Sequence, residues 1–289
     1  MKKYYDLIGD IHGHADELID LLNKLDYSII NGVYSHPERT VIFLGDYVDR
    51  GPQIRNTLRI VKDMVDTGNA FAIMGNHEYN AIAYSMSDEK GNYIRRHSEK
   101  NIHQHKHTLE QFNGFENEWN EYLDWFTTLP LFLEFDDLRA VHACWDSSHI
   151  EWLKKNYNGR LTKEMLIASH DKSRHEYHVF DETLKGKEFR LPDGKSFHDK
   201  DGFHRHDARL KWWAERIHPV RFKDIFISIP QEAENLPVEF EYPIHPYPPD
   251  AKPVFFGHYW LREENPYLQS HNVCCLDDSC AKEGMLVGY

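Results

Sequence analysis

Long apolar runs are missing from this chain. No stretch approaches the roughly 18 apolar residues of a membrane-spanning helix, although apolar residues make up 40% of the 289. The opening, Met1-Lys2-Lys3, is basic, but Asp6 and Asp10 break the apolar stretch behind it, so it does not read as a secretory signal. A cytoplasmic location is the resulting expectation. Cysteine is scarce, with only Cys144, Cys274, Cys275 and Cys280. That excludes a disulfide framework, and without a paired C-x-x-C the 274–280 group reads as free thiols. Positive charge is also short: Lys and Arg number 34 against 47 Asp and Glu, for a formal net charge of -13. Such a surface repels a nucleic-acid backbone, so a broad binding face for one is excluded. A local anion site is not, because bound divalent cations reverse the potential where they sit.

What remains describes a globular enzyme-sized chain. Its length allows one large domain with a substantial core, and 13% aromatic residues argue against disorder. The first third alternates strand and helix. Tyr4–Gly9, Thr40–Leu44 and Ala70–Met74 are short apolar runs. Between them, Leu18, Ile19, Leu22 and Leu25, then Leu58, Val61 and Val65, recur at helical spacing. This predicts βαβ units. Each strand leads into a glycine followed at once by Asp10, Asp46 or Asn76. Ligands of open α/β sheets bind beyond the carboxyl ends of the strands, so three oxygen-bearing side chains converge on one rim.

Further along, 131–135 and 139–144 read as strands around Asp136-Asp137, with others at 224–229, 254–256 and 285–288. Six prolines between 237 and 253 predict an extended loop. The expected organisation is a single domain over 1–289. Within it, 88–125 and 150–222 are cap or substrate-specificity insertions.

Three blocks carry the chemistry: Gly9-Asp10-Ile11-His12-Gly13, Gly45-Asp46-Tyr47-Val48-Asp49-Arg50-Gly51 and Gly75-Asn76-His77-Glu78. His142 and His258 follow in strand-end contexts. Mixed carboxylate and imidazole donors suit divalent Mn, Fe, Zn and their neighbours. A carboxylate such as Asp46 can bridge two cations, which together activate a water for in-line attack on a phosphoryl group. Arg50 matches phosphate oxygens with its planar fork. His77 is a candidate general acid, oriented and charged by Asp49. One such block alone is often a turn or a helix cap; three in order, each closing a strand, point to a site.

These blocks resemble the signature of the PPP-type calcineurin-like metallophosphoesterases. That group includes serine/threonine phosphoprotein phosphatases and symmetrical bis(nucleosyl)-tetraphosphatases. The likeness is dense over residues 4–84 and sparse afterwards. It implies an α/β fold, an αββα sandwich of two mixed sheets with flanking helices and an inserted cap region, the metals lying at the rim. It implies two divalent ions, Mn first, with Fe, Zn, Ni or Co as alternatives. Asp10 and His12 would hold the first ion, Asp46 would bridge, and Asn76, His142 and His258 would complete the second. His77 and Asp49 would form the acid pair, and Arg50 and Asn76 would grip the substrate. Where the family often has His-Gly or His-Ala-Gly, this chain has His142-Ala143-Cys144. A second phosphate-binding arginine is expected between His142 and His258, with Arg205 and Arg209 as the candidates.

Two groups read as structural. His103, His105 and His107 alternate within a polar helical stretch, where i and i+2 do not share a face, and read as solvated surface. Trp212-Trp213 reads as core. The expected activity is hydrolysis of a phosphomonoester or phosphoprotein. A bis(nucleosyl)-tetraphosphatase or other nucleotide pyrophosphohydrolase is the alternative reading, and a retired metal-binding module the reading of another class. Expected partners are a phosphorylated small molecule, a nucleotide or a phosphoprotein.

Overall fold

The computed structural model describes residues 4–191, 196–198, 204–214, 220–227, 229–231, 233–242, 246–261, 267–282 and 284–289. Two sheets stack face to face, with helices outside. The first holds β1 (Tyr4–Ile8), β2 (Arg39–Phe43) and β3 (Ala70–Ala72), all parallel, with β2 central. The second holds β4 (Phe132–Glu134), β5 (Arg139–Val141), β6 (Val254–Phe256) and β7 (Val273–Cys275). Its order is β7-β6-β5-β4, parallel except for the β4–β5 hairpin. The layer between the sheets is wholly apolar. Leu7, Ile42, Leu44 and Ile73 from one side meet Ala140, Phe255, Cys274 and Leu276 from the other. The αββα sandwich is therefore the architecture of the chain.

Helices α1 (Ala15–Lys24) and α2 (Ile54–Asp66) cover the outer face of the first sheet. In α2, Ile54, Thr57, Leu58, Val61 and Met64 are buried at helical spacing, so one stripe packs inward. Then follow α3 (Asn76–Ser85), α4 (Glu99–Gln111) and α5 (Glu116–Phe126). The last buries Trp119, Tyr122, Trp125 and Phe126 in the main core. Helices α6 (Ser147–Asn156), α7 (Lys163–Ala168) and α8 (His175–Lys185) lead to a small sheet of Glu188–Arg190, Asp207–Leu210 and Phe226–Ile227. No helix of the described residues is long and apolar enough to cross a membrane.

The strand expected over 224–229 divides: Phe222–Ile225 is a helical turn and, among the described residues, only Phe226–Ile227 is strand. The Asp224 carboxylate accepts the Arg221 backbone N–H at 2.7 Å, which caps that turn. The end of the chain closes the first sheet. Leu7 N–H donates to the Tyr289 carbonyl at 3.0 Å, Tyr289 N–H to Leu7 at 2.9 Å and Gly9 N–H to Val287 at 3.2 Å. Trp212 and Trp213 are buried, and Trp212 Nε1–H donates to the Ala143 carbonyl at 2.9 Å. All four cysteines are free and buried.

Candidate metal centre

Three parallel strands end at one rim, and the turns that follow are laced together. His12 N–H donates to the Asp46 carbonyl at 2.8 Å, Gly13 N–H to Tyr47 at 3.0 Å and Gly51 N–H to His12 at 2.8 Å. His142 follows β5 and His258 follows β6, which brings the second sheet to the same rim. His12, Asp46, Asp49, Arg50 and His258 all have left-handed backbone, with φ between 47° and 72°. Each such non-glycine residue costs on the order of 1–2 kcal/mol, and strain of this kind gathers at functional sites. Two glycines leave the required room. A Cβ on Gly75 would strike the Asp46 carboxylate, and one on Gly257 would strike Asp10 Oδ1.

Asp46 is at the centre. Its Oδ1 lies 3.3 Å from His142 Nε2, and its Oδ2 lies 3.5 Å from His12 Nε2 and 3.9 Å from His77 Nε2. Two sets of donors share it: His12, Asp46 and His77, then Asp46, His142 and His258, with ligand atoms within 4.8 Å of one another in each set. Asn76 Oδ1 stands 3.1 Å from His142 Nε2. Asp10 lies beside them, its Oδ2 accepting the His258 backbone N–H at 3.0 Å. His77 therefore stands in the first set alongside its expected role as acid, while Asp10 approaches through the second.

The donor chemistry fits divalent cations. His12 donates from Nδ1 to the Val48 carbonyl at 2.9 Å, and His142 from Nδ1 to Leu44 at 2.7 Å. Each Nε2 is thereby aimed at the centre, as in metal-ligating histidines. Asp10 Oδ1, His12 Nε2 and both ring nitrogens of His258 are buried with no hydrogen-bond partner. Orphaned buried polar atoms are rare in folded chains, and lone pairs turned toward one another need a cation between them. A third set, Asp146, His149 and Glu182, is already balanced. The Lys187 ammonium sits 2.5 Å from Asp146 and 3.7 Å from Glu182.

The family model of calcineurin-like phosphoesterases matches residues 5–259. The chain belongs to that family. Curated relatives include bis(5'-nucleosyl)-tetraphosphatases PrpE of the asymmetrical type. The Halalkalibacterium halodurans protein is 45% identical over 74 residues, 25% of this chain and 30% of that one. The Bacillus subtilis protein matches equally, 45% over 74 residues and the same shares. The alignment thus spans under a third of those relatives, and their type is asymmetrical where the motifs alone resembled symmetrical enzymes. A cold-active protein-tyrosine phosphatase of a psychrophilic Shewanella species shares the fold: TM-score 0.52, 18% identity, 100% of this chain and 77% of that one. So does a Saccharomyces cerevisiae serine/threonine phosphatase with similarity to human phosphatase PP5: TM-score 0.50, 16% identity, 94% and 66% of the chains.

Around the centre of this phosphoesterase, Asp49 is held by three donors. His77 Nδ1 meets its Oδ2 at 2.5 Å, while His105 Nδ1 and the Thr108 hydroxyl reach Oδ1 at 2.7 Å each. His105 is thus no part of a solvated histidine run. It is 5% exposed and faces inward with Thr108, while His103 and His107 are exposed. Helical spacing places residues 105 and 108 on one face and turns 103 and 107 away. His107 still touches the same turn, donating from Nδ1 to the Arg50 carbonyl. Glu78 was visible in the third block, but its partners were not. Its carboxylate accepts backbone N–H groups of Asp46 (2.8 Å), Gly75 (2.9 Å), Tyr47 (2.7 Å) and Val48 (3.3 Å).

The Arg50 guanidinium lies 3.9 Å from the Trp260 ring centre, and its Nε is buried without a partner. Of the two arginine candidates, Arg209 is half-buried, with an unpartnered Nε, 5.5 Å from the Tyr259 ring; its charge acts on His258. Arg205 is exposed on the short strand His204–Arg205.

Burial, then neighbouring carboxylates, hold Asp10 and Asp277 above the usual carboxylate range and push Glu78 up to about 7. Burial and the nearby His77 push His12 down to about 3. His77 is raised: burial opposes its charge, but Asp46 and Asp49 more than offset that. A carboxyl group raised in the folded state supplies stability fully present below its unfolded value of 4.5 and lost as pH climbs through about 7. The metal-free protein is therefore expected to lose stability from Glu78 as pH rises across that window. Melting temperatures from pH 4.5 to 8, with chelator and then with excess Mn, check this. The slope should flatten with Mn; an equal slope in both would dismiss it.

Proposed function

We propose that this chain hydrolyses phosphate esters or anhydrides by in-line displacement with water, using two divalent cations of which Mn is one suitable choice. His12, Asp46, Asn76, His142, His258 and Asp10 would hold them. Bound there, the pair supplies water activation and neutralises charge on the phosphoryl oxygens. The residues do the rest. Arg50, stacked on Trp260, and Arg209, beside Tyr259, would grip the phosphoryl oxygens. The phosphorus–oxygen bond to the leaving group breaks as the water oxygen bonds to phosphorus. His77 gives its proton to the leaving oxygen, and the proton released from water restores it. Asp49, pinned by His105 and Thr108, fixes the His77 ring.

One observation carries the reading: a single buried carboxylate, Asp46, is shared by two imidazole sets with the His77–Asp49 pair beside it. Motif resemblance alone favours a phosphomonoester or phosphoprotein substrate. The curated relatives favour a nucleoside polyphosphate, and we adopt that substrate class. The test is a Mn-supplemented panel of p-nitrophenyl phosphate, a phosphopeptide, diadenosine tetraphosphate and AMP, compared by kcat/KM. The dinucleotide should lead. His77→Asn should lower kcat about 100-fold; a variant within twofold of the parent removes His77 from the chemistry.

A further inference from the structure

Arg95 lies between α3 and α4, half-buried, and holds only neutral partners. Its Nη1–H donates to the Asn80 side-chain oxygen at 2.9 Å and its Nη2–H to Gln104 at 2.9 Å. Among the described residues no carboxylate lies within 4.0 Å of it. Its strongest opposite charge is Asp49, already engaged by His77, His105 and Thr108. A guanidinium drawn partly out of water with only amide partners retains strong attraction for an anion.

Its position says which anion. Asn80 sits three residues past His77 on α3, on the same helix face. Arg95 therefore flanks the side on which the leaving group receives its proton. A serine, threonine or tyrosine leaving group is neutral and needs no cation there. A departing nucleotide carries phosphate.

The neighbours of Arg95 in the chain, Ile94 and Arg96, line a groove of about 740 Å³ together with Tyr93, His97, His170 and Asp171. The Arg95 charge reaches His170 on that wall. Tyr93 is 46% exposed, and its ring stacks on His97 at 3.8 Å, which stacks on Tyr84 at 3.7 Å. The volume suits a small-molecule ligand, and a braced aromatic face suits a base.

Resting on the proposed role of His77, we infer that Arg95 binds the leaving phosphate of a nucleoside polyphosphate and that the groove takes its nucleoside. The bond cut is then a phosphoanhydride. Water adds across it: its oxygen stays on the attacked phosphorus, and the bridging oxygen leaves on the second phosphate.

The experiment compares diadenosine tetraphosphate with p-nitrophenyl phosphate, whose leaving phenol bears no phosphate, under Mn. Arg95→Gln should lower the ratio of the two kcat/KM values about tenfold or more, and Arg95→Lys should recover part of it. Tyr93→Ala should raise KM for the dinucleotide several-fold. A ratio within twofold of the parent in Arg95→Gln overturns the inference, as does parent enzyme that prefers a phosphopeptide. Should Arg95→Gln not fold, the ratios in Arg95→Lys and Tyr93→Ala decide on the same terms. Parent enzyme inactive on both substrates would instead overturn the hydrolase reading.

Discussion

Asp46→Asn is expected to lower kcat under Mn by about 10³ or more and to abolish the rise in melting temperature that Mn produces. The reasoning is geometric. Asp46 is the one side chain common to both donor sets, with His142 at 3.3 Å and His12 at 3.5 Å. His142 and His77 hold it well below the usual carboxylate range against the opposing effect of burial. An amide in its place offers one neutral oxygen. A 10³ loss corresponds to about 4 kcal/mol of barrier, the scale expected for Lewis-acid stabilisation. The backbone should survive, although Asp46 Oδ1 also accepts the His77 N–H at 2.9 Å, a bond the amide oxygen can retain. Activity, metal content and thermal shift together test the idea. Retention of both bound metal and activity would eliminate the shared-carboxylate centre.

Glu78→Ala acts on stability instead. It is expected to destabilise the fold by about 3 kcal/mol or more, read as a lower denaturant midpoint. The Glu78 side chain is 0% exposed and ties the Asp46–Val48 turn to Gly75 through four backbone N–H groups. Removing it orphans buried donors, each worth about 1–3 kcal/mol when left unsatisfied. The carboxylates of the same turn are engaged: Asp46 accepts from His77 N–H, and Asp49 is taken by His77, His105 and Thr108. A loss under 1 kcal/mol would mean that water or a backbone shift replaces the carboxylate. Because the same turn carries Asp46, Tyr47 and Val48, metal affinity should fall with stability.

The motif blocks were legible because each one lies within a few residues of a strand end, where pattern and turn chemistry act locally. Asp10, Asp46 and Asn76 could thus be placed on one rim before any coordinates. His105 was not legible. Its partner Asp49 lies 56 positions away, and the alternating histidines around it hide which helix face is buried. Glu78 was seen as part of a block, yet its partners are main-chain groups about 30 residues upstream, which leave no mark on composition. The second arginine was narrowed to two neighbours. Their different strands separate them: Arg205 is exposed on His204–Arg205, while Arg209, on Asp207–Leu210, reaches Tyr259. The strand expected over 224–229 started too early because the apolar residues after Asp224 read alike as strand or helical turn; the carboxylate of Asp224, which caps Phe222–Ile225, decided it.

The strand that carries Asp10 is stitched at its edge to residues 287–289, and the Asp10 carboxylate waits on the His258 backbone, 248 positions further along. Both attachments join segments far apart in the sequence, so the rim cannot be completed by the first third of the chain alone.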